Sequence, residues 1–292
     1  MTGRPADGAS PCFPENSGSG SNGSGGSTAA DANANAVLAA ESVRLQTQAA
    51  LRGPATCLPL HVIAETGSTN ADLLDAGTYP DQSACVLMAL TQTRGRGRSG
   101  RRWQSDEGTL TFSVRWTFRR RVQDLLGLPL AVAVATTQAL EDLAVSGVQI
   151  KWPNDLLRQG RKVGGVLVEL GSDGRAVIGI GLNVQLDATL AAGLDQGAAD
   201  IQPQQGTALT RIDALAALLN RLAPMLGTFD ESGFAAFQSD WMARACWRGR
   251  AVRLGSAIEG VFVGADHDGA ALIDKDGSVQ RHLVGDLSLR AL

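Results

Sequence analysis

The spacing of apolar and polar positions changes several times along the chain. The first 28 residues show no periodicity: Ser17 to Ser27 is glycine and serine apart from Asn22, the composition of a flexible tail. From Ala29 to Leu51 an alanine-rich stretch carrying Val37, Leu38, Leu45 and Leu51 predicts one amphipathic helix. A DNA-reading helix-turn-helix needs two or three helices, and there is no room for them before the first core strand. Strand patterns begin after Leu58. His61–Ala64 predicts a strand, and Ser68 or Thr69 the N-cap of a helix through Leu74. Cys85–Leu90 is a continuous apolar run, as in a buried strand. Leu110, Phe112, Val114 and Trp116 alternate with Thr111, Ser113 and Arg115, which predicts a half-buried strand. Leu125–Val145 predicts a long helix and Val148–Trp152 a strand. Val163–Leu170 and Ala176–Val184 predict two strands joined by a turn at Gly171-Ser172-Asp173-Gly174. Ile212–Leu226 and Phe234–Trp241 predict helices.

From Gly249 onward, short Val, Leu and Ile runs are separated by Asp268-Gly269 and Asp276-Gly277, eight residues apart. That spacing suits a small all-β barrel. The division is therefore a tail over 1–28, a helical lead-in over 29–57, a large α+β domain over 58–248 and a small β domain over 249–292. A chain of 292 residues, 44% hydrophobic, is long enough for both cores.

Composition narrows the chemistry. The four cysteines (Cys12, Cys57, Cys85, Cys246) form no C-x-x-C, and His61, His267 and His282 are far apart. This argues against a disulfide scaffold, a zinc ribbon and a histidine metal site. The longest apolar stretch, Leu125–Leu140, is broken by Pro129 and Gln138 and is too short for a bilayer. With no charged-then-apolar leader at the start, a cytoplasmic protein without a membrane partner is expected. The net charge of -3 hides an asymmetry. Of 26 basic residues only Lys151, Lys162 and Lys275 are lysines, and nine arginines lie between Arg94 and Arg121, against Asp106 and Glu107. The total speaks against a protein that coats nucleic acid, yet one segment is strongly positive.

Gly95-Arg96-Gly97-Arg98-Ser99-Gly100 matches G-x-G-x-x-G. A dinucleotide fingerprint must open a helix, whereas a short polar loop and a strand follow here. A disordered RNA-binding Gly-Arg tract would lie outside the core, not between two core strands. The remaining reading is a loop whose glycines let backbone approach a ligand and whose arginines meet an anion. Trp103 after it can close on a flat ring, although a core role is commoner. Lys151-Trp152-Pro153-Asn154-Asp155 reads as a strand end and turn, or as a phosphate contact, a hydrogen-bonding amide and an Mg²⁺ ligand. In Arg161-Lys162-Val163-Gly164-Gly165, alternation places Lys162 and Gly164 on one face. Gly179, Gly181 and Asn183 share one face of their strand, and Ile178, Ile180, Leu182 and Val184 the other, so one face allows close approach and the other builds core.

Taken in this order, and together with Gly67-Ser68-Thr69-Asn70 and the run from Gln92 to Trp103, these motifs resemble the biotin protein ligase family over about 58–292. The resemblance implies a mixed β-sheet catalytic domain with flanking helices, of the class II aminoacyl-tRNA synthetase and biotin ligase type, plus a C-terminal SH3-like barrel. It also implies ATP-dependent activation of biotin as biotinyl-5′-AMP, with Mg²⁺, and transfer to a lysine of a biotin carboxyl carrier protein, the acetyl-CoA carboxylase subunit. Ser68, Thr69, Asn70 and Gln92 match biotin-contacting positions, joined by Arg96, Gly97, Arg98, Lys162, Gly164 and Gly165. Lys162 and Arg98 match the catalytic positions. Arg98, Trp103, Lys151, Asn154 and Asn183 fall on the ATP side, and Asp155 is the candidate Mg²⁺ ligand, with turn capping as its alternative. The implied protein is a monomer or weak homodimer that does not bind DNA. The competing readings are a ligase for lipoate or octanoate, a non-enzymatic regulator acting on nucleic acid through the basic loop, and a generic nucleotide-binding module.

Overall fold

The structure is a computed structural model and describes residues 29–80, 82–171, 175–186, 197–203, 205–283 and 288–292. The expected tail and the centre of the Gly171–Gly174 turn lie outside these residues. The elements in chain order are α1 (Ala29–Ala50), β1 (Leu60–Thr66), α2 (Thr69–Leu74), β2 (Ala84–Gln92), β3 (Thr109–Thr117), α3 (Leu128–Asp142), β4 (Val148–Lys151), β5 (Asp155–Arg158), β6 (Arg161–Leu170), β7 (Arg175–Asn183), α4 (Arg211–Ser232) and α5 (Gln238–Arg244). Strands β8 (Ala251–Leu254), β9 (Ile258–Ala265), β10 (Ala271–Lys275), β11 (Ser278–His282) and β12 (Leu289–Ala291) follow.

Strands β1 to β7 form one mixed sheet in the order β1-β2-β3-β7-β6-β5-β4. The pair β1–β2 is parallel, connected through α2, and the other neighbours run antiparallel. One face of this sheet is packed by α3 and α4: Met88, Phe112, Ile180 and Leu182 are buried in the same core as Leu130, Val134, Leu218 and Leu222. The α+β class with flanking helices follows the expectation. Helix α3 starts at Leu128 rather than Leu125 because Pro129, which has no N–H to donate, fits only the first turn. Helix α4 opens on a capping box in which the Thr210 hydroxyl takes the Asp213 N–H and the Asp213 carboxylate takes the Thr210 N–H.

Strands β8 to β12 form a second, antiparallel sheet in the order β11-β10-β9-β8-β12. Its buried Phe262 and Ile273 belong to the same apolar cluster as Trp241 and the first sheet. The Trp152 indole N–H, at the end of β4, donates to the Gly269 carbonyl at 3.0 Å.

Two expectations need correction. Helix α1 exists, but Val37, Leu38 and Leu45 are exposed on it, and its buried positions are Ala40 and Thr47. The four arginines at the end of the basic run also have structural partners. Arg115 is fully buried and its guanidinium donates to the carbonyls of Leu73, Thr78 and Tyr79, at 2.7 to 2.9 Å, which fastens the end of α2 to the sheet. Arg119 pairs with Asp230, Arg120 donates to the carbonyls of Asp230 and Glu231, and Arg121 pairs with Asp124. The arginines left to line a cavity are Arg96, Arg98, Arg101 and Arg102 of the loop. None of the described helices is long and apolar enough to cross a membrane.

Candidate active site

The open face of the large sheet carries a cavity. Its walls come from the β1–α2 junction, the end of β2, the 95–103 loop, the central strands β3, β6 and β7, and the β4–β5 turn. Strand β7 can form the floor because Gly179 and Gly181 have no side chains. A Cβ on Gly179 would collide with the Asn70 amide, and one on Gly181 would lie 2.5 Å from Cε2 of Trp103. The face of β7 expected to permit close approach does so.

The closed end of the cavity is a chain of hydrogen bonds. Ser68 is the N-cap of α2, which turns Thr69 and Asn70 inward, and both are buried. Gln92 Oε1 accepts from the Thr69 N–H at 2.9 Å. The Thr69 and Ser113 hydroxyls are 2.7 Å apart, and Ser113 donates to Asn70 Oδ1 at 2.6 Å. Asn70 Nδ2 donates to Glu169 Oε2 at 2.8 Å, and Arg96 of the loop reaches the same oxygen at 3.4 Å.

The loop folds over the cavity as a tight hairpin. Arg96 and Arg102 form an antiparallel bridge, Gly97 N–H donates to the Arg101 carbonyl at 2.7 Å, and Trp103 N–H donates to Gly95 at 3.0 Å. Gly95 has to be glycine, since a Cβ there would stand 2.5 Å from the Trp103 carbonyl oxygen. Arg98 Nη1 donates to Asn154 Oδ1 at 3.3 Å, which ties the loop to the β4–β5 turn.

At the opposite end Lys162 Nζ lies 2.5 Å from Asp155 Oδ1, and Lys151 Nζ lies 3.3 Å from Asp155 Oδ2. Burial pushes the Asp155 carboxyl up, but the ammonium groups of Lys162 and Lys151 outweigh it and hold it below the usual carboxylate range. The Lys162 ammonium also lies 5.8 Å from the centre of the Trp103 ring. With Arg96, Arg98, Arg101 and Arg102 on the other wall, the open end suits an anion.

The cavity gathers Ser68, Thr69, Asn70, Gln92, Arg96, Gly97, Arg98, Trp103, Asn154, Asp155, Lys162 and Gly165. It does not gather Gly164, Lys151 or Asn183, and in each case a local cause is visible. Opposite β5, Leu156 pairs with Gly164 and Leu157 with Lys162, so Val163 is an extra residue, a β-bulge. Alternation resets across it: a Cβ on Gly164 would meet Leu156 and Leu182 in the core, while one on Gly165 would face Lys162 and Asp155. Lys162 and Gly165 thus share the cavity face in place of Lys162 and Gly164. Lys151 is buried behind Asp155, its ammonium 5.8 Å from the Trp247 ring centre. Asn183 donates to the carbonyls of Lys162 and Ala199, at 3.4 and 3.0 Å, and braces the backbone on which Lys162 stands. Asp155 does not fit as an Mg²⁺ ligand, because both of its oxygens are taken by ammonium groups that would repel a second cation.

Sequence reasoning missed Thr111, Ser113, Arg101 and Glu169. The small polar residues of β3 carried a usable signal, since a central strand has no solvent face and its polar side must meet a ligand or other polar groups. Glu169 carried none.

A mixed sheet with a closed polar pocket, a glycine–arginine hairpin and a paired lysine defines a ligase of the acyl-cofactor type, and the chain belongs to the biotin/lipoate A/B protein ligase family, whose family model matches residues 61–187. Within that family it is similar to several biotin ligases. It is 34% identical over 239 residues to the bifunctional ligase/repressor BirA of Escherichia coli, covering 79% of this chain and 74% of that protein. It is 33% identical over 224 residues to the biotin–[acetyl-CoA-carboxylase] ligase of Paracoccus denitrificans, covering 73% and 92%. The fold resembles the biotin protein ligase of Aquifex aeolicus in complex with biotin and ATP. The TM-score is 0.70 at 32% identity, over 80% of this chain and 99% of that one.

Proposed function

We propose that this protein is an ATP-dependent biotin protein ligase acting on a biotin carboxyl carrier protein, the acetyl-CoA carboxylase subunit. The observation that carries the reading is the position of Lys162. Its ammonium lines the same cavity as the closed polar pocket and the arginine hairpin, and so can meet a carboxylate and a polyphosphate of the same sign together.

In the first step an oxygen of the biotin carboxylate attacks the α-phosphorus of ATP. The bond from that phosphorus to the bridging oxygen breaks, and pyrophosphate leaves. Ureido N–H groups of biotin find the oxygens of Thr69 and Asn70 at the closed end, backed by Ser113, and the Gln92 amide borders the same space. Lys162 neutralises the two approaching anions, and Arg98, held by Asn154, fixes the nucleotide side. Trp103 lies over Gly181 as the wall between the two substrates. Lys151 and Asn183 act from behind, through the Asp155 carboxylate and the Lys162 carbonyl. Mg²⁺ would supply further charge neutralisation for the polyphosphate, and Asp155, already paired with two ammonium groups, would not hold it. In the second step a neutral lysine amine of the carrier attacks the anhydride carbonyl. The carbonyl–oxygen bond to phosphate breaks, AMP leaves, and the nitrogen loses a proton to solvent. Meanwhile the Arg96–Arg102 hairpin keeps water from the anhydride.

Incubation with biotin, MgATP and a carrier domain tests the reading. One biotinyl group should appear on one carrier lysine, and none without ATP. Transfer of lipoate in place of biotin, or no transfer of either, would refute it.

A further inference from the structure

We infer that Glu169 is a positioning residue that sets the donor and acceptor order of the closed end of the pocket. It lies on β6 beyond the bulge, on the same face as Gly165 and Leu167, and is not itself part of the cavity wall. An ionised carboxylate only accepts hydrogen bonds. The Asn70 group facing Glu169 Oε2 at 2.8 Å must therefore be the NH₂, and the Leu167 carbonyl, 3.3 Å from the same nitrogen, makes the same demand. Asn70 Oδ1 is then forced toward Ser113, which has one hydroxyl proton and gives it to that oxygen at 2.6 Å. The 2.7 Å contact between Ser113 and Thr69 must consequently be donated by Thr69. Thr69 Oγ1 also stands 3.2 Å from Gln92 Oε1, which can accept from it beside the Thr69 backbone N–H, but the contact with Ser113 is the shorter at 2.7 Å and takes the larger share of that proton.

One carboxylate, seconded by the longer contact to the Leu167 carbonyl, thus orients an amide and two hydroxyls in series. The pocket presents hydroxyl lone pairs to the ligand, which match a ligand that brings N–H donors, as a cyclic urea does. Without Glu169 only the longer 3.3 Å contact with the Leu167 carbonyl would hold the Asn70 amide, so its rotation and the reversal of both hydroxyls would become easier and the pocket would offer a mixture of patterns. Arg96 reaches the same Oε2 atom at 3.4 Å, so the ordered pocket and the hairpin share an anchor. That pair is half exposed and weak. The inference rests on the biotin reading of the cavity for its consequence, but not for the hydrogen-bond order itself.

The test is ATP–pyrophosphate exchange at varied biotin for wild type, Glu169→Ala and Glu169→Gln, with thermal unfolding of each. Glu169→Ala should raise the KM for biotin about tenfold or more, the equivalent of one lost charge-assisted hydrogen bond. The kcat and the KM for ATP should stay within about threefold of wild type on the same scale. Glu169→Gln keeps an oxygen to accept from Asn70 and should stay within about threefold of wild type in the KM for biotin. A purely structural role would instead lower the unfolding temperature and kcat of both variants and leave the biotin KM alone. That outcome overturns the inference, as does a Gln variant as impaired as the Ala variant. A readout without substrate separates this failure from failure of the biotin reading. The Asn70 side-chain NH₂ resonances should exchange slowly with water in wild type and Glu169→Gln, and fast in Glu169→Ala. Loss of that pattern refutes the order, whereas its presence in a protein that does not activate biotin refutes only the ligand.

Discussion

Replacing Asp155 by asparagine removes the one negative charge between two lysines while keeping the side chain's shape. The cost can be worked from the geometry. Breaking a buried ion pair by deleting one partner costs about 3–5 kcal/mol, mostly through the charge left behind. Here the two lysines do not weigh equally. The Lys162 side chain is 31% exposed and can turn to water, so its share is discounted, whereas the Lys151 side chain is 7% exposed and cannot. The Trp247 ring near Lys151 offsets about 0.5–2 kcal/mol of that burden. A loss of about 2–3 kcal/mol is expected, read as a lower urea midpoint near neutral pH. The sign with pH follows from the lowered carboxyl. A carboxyl whose folded pKa is depressed contributes its stability above its unfolded value and loses it as pH falls through the folded one. The gap between wild type and Asp155→Asn should therefore be constant above about pH 4 and close only in stronger acid. ATP–pyrophosphate exchange should fall by about tenfold or more as Lys162 loses its anchor, with the Mg²⁺ midpoint unmoved. A variant with wild-type stability and a raised Mg²⁺ midpoint would refute this reasoning and make Asp155 a metal ligand.

Three further outcomes follow from the site. Lys162→Ala should lower the exchange rate by about 10²-fold or more with little change in unfolding temperature, and a normal rate would remove Lys162 from its role. Gly181→Ala should displace the Trp103 indole and destabilise the fold by about 1–3 kcal/mol, visible as altered tryptophan fluorescence and a lower urea midpoint. An unchanged spectrum with unchanged stability would show that the contact is not tight. Biotin and ATP together should slow tryptic cleavage at Arg94–Arg102 more than either alone, because the adenylate bridges both walls. Equal cleavage in all conditions would count against the hairpin as a cover.

The parts of this fold that were legible in the sequence are those that depend on one strand or one cap. The strand at Leu110 to Trp116, the two faces of Gly179 to Val184 and the N-cap at Ser68 are local, and each appears in the structure, although the strand is buried on both faces and not half-buried as its alternation predicts. What depended on a neighbour was hidden. Strand β5 is four residues long and exists because β4 and β6 pair with it, so Asp155-Leu156-Leu157-Arg158 carries no strand signal of its own. The extra residue at Val163 can be seen only by counting against β5. Lys151 looks like a site lysine until its burial behind Asp155 and near the Trp247 ring is known. Arg115 reads as one more cation of a basic run, although its partners are carbonyls of the 73–79 segment. On α1 the apolar residues are mostly on the exposed side, so hydrophobicity alone pointed to the wrong face.

The bulge on β6 joins two chemistries that an unbroken strand would keep apart. Lys162 and Glu169 are seven positions apart, an odd interval that in regular pleating sends two side chains to opposite faces. The single supernumerary valine brings them to the same side, so the group that meets the reacting anions and the group that orders the binding pocket are borne by one strand. An insertion or deletion between them would preserve one at the expense of the other. The length of this stretch is thus held by the division of labour within the enzyme more firmly than by the stability of the sheet, and engineering of the pocket should leave its residue count untouched.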